Sequence, residues 1–219
     1  LFNLKDFIME KLIKKFDIPD SLGNLLSDYT FNILDKYNHF KSLPWGHYWQ
    51  QKLILADIPL DKNYPGVSDE FILNWDLNNH VYRKYNLQTC AMSKLFDLPY
   101  DMVDADPELY KIICDYIESE IGVVVENQSG NFYYPKSGYM GWHTNQNDPC
   151  YRVYFVYSPL NNGSYFKYYD VKDKTVVTDW DNFGWNIRLF DINLESKFWH
   201  CVYAPNAYRV SIGFRGKGV

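Results

Sequence analysis

Gly141-Trp142-His143-Thr144-Asn145, Phe198-Trp199-His200 and Tyr208-Arg209-Val210-Ser211-Ile212-Gly213-Phe214-Arg215 are the stretches on which the reading of this fold turns. In an extended strand, side chains two positions apart leave from the same face. His143 and Asn145 therefore share a face, with Trp142 and Thr144 on the other. The same parity aligns Arg209, Ser211, Gly213 and Arg215, so a guanidinium and a hydroxyl stand side by side and can hold a carboxylate through charge-assisted hydrogen bonds. Two imidazoles and one carboxylate on one side of a metal leave positions open for a chelating acid and for O2.

The flanking sequence supplies strands for these motifs. Asn131-Phe132-Tyr133-Tyr134-Pro135 precedes His143, with Asn131 and Tyr133 on one strand face. Tyr151 to Ser158 alternates aromatic and aliphatic residues, and Asn161-Asn162-Gly163 reads as a hairpin turn into the next strand. Trp185 to Phe190 forms a further strand before His200. The order of these motifs over residues 122–216 resembles the Fe(II)/2-oxoglutarate-dependent dioxygenase superfamily. The resemblance implies a double-stranded β-helix of the jelly-roll or cupin-like kind. It implies that His143, His200 and Asn145 ligate Fe(II), with the two histidines as the catalytic centre. It also implies that Arg209 and Ser211 take the distal carboxylate of 2-oxoglutarate, with Asn131 and Tyr133 helping to bind the oxoacid. The expected activity is hydroxylation of a primary substrate, with O2 and 2-oxoglutarate converted to succinate and CO2.

The chain departs from the family pattern at one position. Where the superfamily has aspartate or glutamate, this chain has Asn145, a neutral and weaker donor that leaves metal charge uncompensated. Asp148, just before Pro149, is the nearest acidic substitute if the strand ends in a turn there. Three other readings therefore stay open: a catalytically silent module that keeps the fold for binding, an AlkB-type nucleobase demethylase, and a cupin-like protein with a different metal or none. The AlkB-type reading rests on the run Arg209 to Arg215 and on Asn131-x-Tyr133.

Composition narrows the partners. With 219 residues, 47% hydrophobic and 19% aromatic, the chain has ample material for a core and no composition typical of disorder. Its net charge of −5 and pI near 5.5 argue against a general grip on nucleic acid, so a small molecule or protein side chain is the expected primary substrate. Cys90, Cys114, Cys150 and Cys201 are scattered without a Cys-x-x-Cys pair, which fits reduced thiols and a cytoplasmic location. The sequence has no run apolar and long enough to cross a bilayer and no signal-peptide pattern at its start. His39, His47 and His80 have no ligand spacing.

The first half reads as helical. Leu4, Phe7, Ile8, Leu12 and Phe16 recur at helical spacing, as do Leu22, Leu25, Leu26, Tyr29 and Ile33 after a cap at Asp20 or Ser21. Pro107 after Asp106 marks a helix start, and the run continues to Gly122 before Val123-Val124-Val125 enters the sheet. The expected architecture is one α+β domain over residues 1–219, with residues 1–121 as a mainly helical brace packed outside a β-helix core at 122–216. Residues 41–100 carry no clear pattern.

Overall fold

Two antiparallel sheets face each other in the computed structural model, which describes residues 12–40, 67–74, 93–98, 102–145, 148–192 and 198–219. The larger, seven-stranded sheet runs in the order β1 (Lys14–Phe16), β10 (Gly184–Ile192), β7 (Cys150–Ser158), β12 (Arg209–Gly218), β5 (Phe132–Tyr134) and β3 (Phe96–Asp97), with β4 (Val123–Gln128) also paired to β12. The smaller, five-stranded sheet runs β2 (Ser93–Lys94), β6 (Gly138–His143), β11 (His200–Ala204), β8 (Tyr165–Asp170) and β9 (Thr175–Trp180). This is the double-stranded β-helix expected from the motif order.

Strand alternation divides the larger sheet into two faces. Val153 and Phe155 of β7, Ile187 and Leu189 of β10, and Val210, Ile212 and Phe214 of β12 are buried in one cluster on its outer face. Helices cover that face: α1 (Asp20–Phe40) contributes Leu22, Leu26, Tyr29 and Ile33, while α3 (Met102–Ala105) contributes Met102. Leu109 and Ile113 of α4 (Pro107–Tyr116) join the same cluster. Each such side chain contributes about 1.5–3 kcal/mol when fully buried. Asp106 caps α4 by accepting the Leu109 N–H at 3.0 Å, and Pro107 occupies the first turn, where its missing N–H costs nothing. The helix runs on through a π turn at Ile117–Ile121, which keeps Ile117 and Ile121 in line with Leu109 and Ile113. It stops at Gly122, whose φ of 78° suits a glycine. The short helix α2 (Asp69–Asn74) places Ile72 against the outer face of the smaller sheet, beside Tyr139, Trp142 and Trp199.

Two sequence expectations change at this level. The helix expected through Phe16 does not reach that far, because residues 14–16 form an edge strand, with Lys14 opposite Leu189 and Phe16 opposite Ile187. Leu4, Phe7 and Ile8 lie outside the described residues. With β1, β2 and β3 all drawn from the first 121 residues, that region feeds both sheets as well as bracing them. The Asn161-Asn162-Gly163 turn is also not a hairpin. β7 pairs with β10 and β12, while β8 pairs with β11 and β9, so the turn carries the chain from one sheet to the other. The turn chemistry was legible, but the partner of the strand that follows it is set by long-range pairing.

Candidate active site

The two histidines are brought together by the pairing of β6 with β11, in which His143 and His200 are direct partners. Their ring centroids are 4.1 Å apart, with the planes inclined at 55°. A β-bulge makes this possible. Between His200 and Val202 the register shifts, so Gly141 and Trp142 together oppose Cys201. Met140 and His143, three positions apart, consequently both line the interior cavity, while Tyr139 and Trp142 pack on the outer face. The Trp142 indole donates outward to the Ser68 carbonyl at 2.9 Å, which anchors the bulge.

Both rings are held in one tautomer. His143 Nδ1 lies 2.8 Å from the Gly141 carbonyl oxygen and His200 Nδ1 lies 2.9 Å from that of Phe198. A carbonyl can only accept, so each Nδ1 carries the proton and each Nε2 presents a bare lone pair. Burial pushes the His143 pKa down to about 4, against some support from its bond to Gly141 and with a further push from Arg152. His200 is driven well below its ordinary value by burial first and then by His143. Both rings are therefore neutral at pH 7. Because the folded chain resists protonation of His143 and the unfolded chain does not, metal-free protein is expected to lose stability as pH falls from 6.5 toward about 4. Thermal melts of wild type and His143→Gln across that window check this, the variant being expected to give the shallower slope.

Asn145, just after β6, places its side-chain amide nitrogen 3.3 Å from His200 Nε2. With Nε2 bare, the amide is the donor. The Asp148 N–H donates to the Asn145 carbonyl at 2.9 Å. Its carboxylate is drawn elsewhere, since Arg152 Nη2 and Arg215 Nη1 both donate to Oδ2 at 2.6 Å. Among the described residues no third histidine, cysteine, aspartate or glutamate joins the ring pair.

The cavity lined by His143 and His200 is also lined by Arg209, Ser211 and Arg188. Arg209 is 2% exposed and donates through Nε to Asp181 Oδ2 at 3.1 Å, a bond that does not consume its two terminal nitrogens. Asp181 also accepts from Arg188 Nη1 and Ser164 Oγ, and Arg188 Nε donates to Asp179 Oδ2 at 2.6 Å. Burial alone would raise the Asp181 pKa, but Arg188 and Arg209 more than offset that and hold it below the usual carboxylate range. The network sits where the chain changes sheets, with the Asp181 N–H bonded to the Ser164 carbonyl and the Asn162 N–H to that of Asp181, each at 2.9 Å.

Tyr133 and Asn131 are not at the cavity. In the pairing of β5 with β12, Tyr134 is opposite Arg209 and Tyr133 opposite Val210. Tyr134 therefore faces inward, with the Arg209 guanidinium 5.2 Å from its ring centre, and Phe132 lines the cavity beside it. Tyr133 faces the helix-covered side and stacks on Tyr208 at 5.8 Å. Asn131 instead accepts the Gly213 N–H through Oδ1 at 3.4 Å, tying the approach to β5 onto β12. Sequence reasoning also missed Tyr154, Arg188 and Asp181. An arginine inside the apolar run Trp185 to Phe190, just after Asp179-Trp180-Asp181, was the available signal.

The donor set fits a metal in two respects: both imidazoles are fixed with Nε2 unprotonated, and a side-chain amide lies beside His200 Nε2. Its shortfall is charge, since no described carboxylate is present to offset a dication.

No protein-family model and no curated protein matches the chain. Among solved structures it is similar to a prolyl-4-hydroxylase of Pseudomonas putida, with a TM-score of 0.50 and 10% identity over 98% of this chain and 97% of that one. It is also similar to a prolyl hydroxylase of Trichoplax adhaerens, solved with a hypoxia inducible factor oxygen degradation domain peptide fragment, with a TM-score of 0.52 and 12% identity over 98% of this chain and 87% of that one. The chain has the fold of the 2-oxoglutarate/Fe(II) oxygenases, and at these identities the likeness extends to the fold alone. No described helix is long and apolar enough to cross a membrane.

Proposed function

We propose that the chain is an Fe(II)- and 2-oxoglutarate-dependent oxygenase that hydroxylates a substrate, in which His143, His200 and Asn145 hold the metal and Arg209 with Ser211 receives the distal carboxylate of the oxoacid. One observation carries this reading: a single cavity is lined both by two tautomer-locked, neutral imidazoles and by a buried arginine with a serine two positions on. When bound, iron with the oxoacid and O2 supplies oxidative decarboxylation to succinate and CO2 coupled to hydroxylation of the substrate.

The chain's own residues prepare that chemistry. The Gly141 and Phe198 carbonyls fix which nitrogen of each ring faces the cavity. Asp181 orients Arg209 through Nε, leaving its terminal N–H groups for an incoming carboxylate. Phe166 and Phe190 pack on the His200 ring at centroid distances of 5.3 Å and 5.5 Å and exclude water from it. Asn145, whose amide nitrogen lies 3.3 Å from His200 Nε2, would offer its side-chain oxygen to a metal after an amide flip that gives up this one weak hydrogen bond.

A second reading has an observation in its favour. The Asn145 amide occupies the His200 lone pair, and no described carboxylate completes the set, as expected of a silent module that keeps the fold for binding. Fe(II) titration under anaerobic conditions separates the two. Wild type is expected to bind, His143→Ala and His200→Ala to lose binding, and Asn145→Asp to tighten it by about tenfold or more, ~1.4 kcal/mol, through one added negative charge. A wild type and an Asn145→Asp variant that both ignore Fe(II) would establish the silent module.

A further inference from the structure

Arg152 and Arg215 stand opposite each other as direct partners on β7 and β12. Each sends one terminal nitrogen to the same oxygen of Asp148 at 2.6 Å, and Arg152 sends the other to Ser129 Oγ at 2.8 Å. Two guanidiniums against one carboxylate leave one positive charge in excess. Arg152 is 4% exposed, and the Nε atoms of Arg152 and Arg215 are both buried without a hydrogen-bond partner. A buried guanidinium N–H with no acceptor has lost its water and gained nothing in return, so an arriving oxygen acceptor is favoured on both charge and hydrogen bonding.

The excess charge lies on the same strand face as a residue of the histidine cavity. Arg152 shares the interior face of β7 with Tyr154, which lines the cavity together with His143 and His200. Against a chain of net charge −5 this is a local positive spot, suited to one anionic group and not to a polyanion. The geometry points to Arg152 and Arg215 as the subsite for an anionic primary substrate, which presents a carboxylate or phosphate to the two guanidiniums. That role as a substrate subsite rests on the oxygenase reading above. Asp148 keeps the two forks in place while neutralising half of their charge.

Titration of inorganic phosphate and, separately, acetate into the metal-free chain, read on the arginine Nε–H signals in nitrogen-15 NMR spectra, tests this without any turnover. The Arg152 and Arg215 signals, assigned from Arg152→Lys and Arg215→Lys, are expected to shift saturably. Each lysine variant is expected to weaken binding at least tenfold, because it keeps the charge and loses the fork. The anion that saturates at lower concentration identifies the substrate group as phosphate or carboxylate. Asp148→Asn, which removes the competing charge and keeps an oxygen acceptor, is expected to tighten phosphate binding at least fivefold. Wild-type signals that do not move, or folded lysine variants with unchanged affinity, overturn the assignment, as does weaker binding by Asp148→Asn. A parallel 2-oxoglutarate titration read at Arg209 keeps the two ideas apart. A response at Arg209 with silence at Arg152 and Arg215 removes the subsite and leaves the oxygenase reading standing. Anion binding at Arg152 and Arg215 with no oxoacid response at Arg209 does the reverse.

Discussion

Asp181→Asn is expected to cost about 3–5 kcal/mol of folding stability, because it removes the negative partner of two buried guanidiniums while leaving both in place. Asp181 is fully buried, Arg188 is 1% exposed and Arg209 2% exposed, so none of the three recovers much hydration when the pairing is lost. Asp179 still supports Arg188, whereas Arg209 has no second carboxylate among its described bonds. The amide retains the shape of the side chain and one acceptor for Ser164 and Arg209, while its NH2 group faces the Arg188 donor, so the loss includes an acceptor as well as the charge. Denaturant unfolding at pH 7 reads the loss directly. A cost below about 1 kcal/mol would mean that water or a rearranged arginine replaces the carboxylate. The sign with pH is also set. Since the folded pKa of Asp181 is depressed, its contribution is complete above the ordinary carboxylate pKa and disappears as pH falls through the folded value.

Arg209→Ala is expected to weaken 2-oxoglutarate binding by about 2 kcal/mol, roughly 30-fold, through loss of a desolvated charge-assisted pair. The site is not a lone cation awaiting an anion. Arg209 is already paired with Asp181, and Arg188 with both Asp179 and Asp181, so an incoming carboxylate gains directed hydrogen bonds from a guanidinium that already has a counter-charge. Calorimetry on the wild type and the variant, with folding of each checked by its melt, measures the difference. Equal affinities would make Arg209 a purely structural partner of Asp181.

Much of the site was legible because strand parity is a local property. Arg209 beside Ser211 follows from a period of two, and the start of α4 follows from Asp106 and Pro107, whatever the rest of the chain does. Parity states which residues share a face and is silent on which face points inward. The choice of Tyr134 over Tyr133 needed the pairing of β5 with β12, which places Tyr134 opposite Arg209. The inward turn of both Met140 and His143 needed the extra residue at Gly141-Trp142, which breaks the period that sequence reading assumes.

Charged partners were the least legible part. Asp148 reads as a spare carboxylate near a metal strand, yet Arg152 and Arg215 capture it because β7 and β12 run side by side. Arg209 reads as an anchor for an external acid, yet the sheet-to-sheet corner delivers Asp181 to it first. The amino-acid sequence by itself determined the order of motifs, the residues that share each strand face and the ends of α4, since these depend on neighbours a few positions away. Tertiary structure alone decided which face is the interior and which carboxylate meets which guanidinium, because buried charges are matched by whichever strands the fold brings into register.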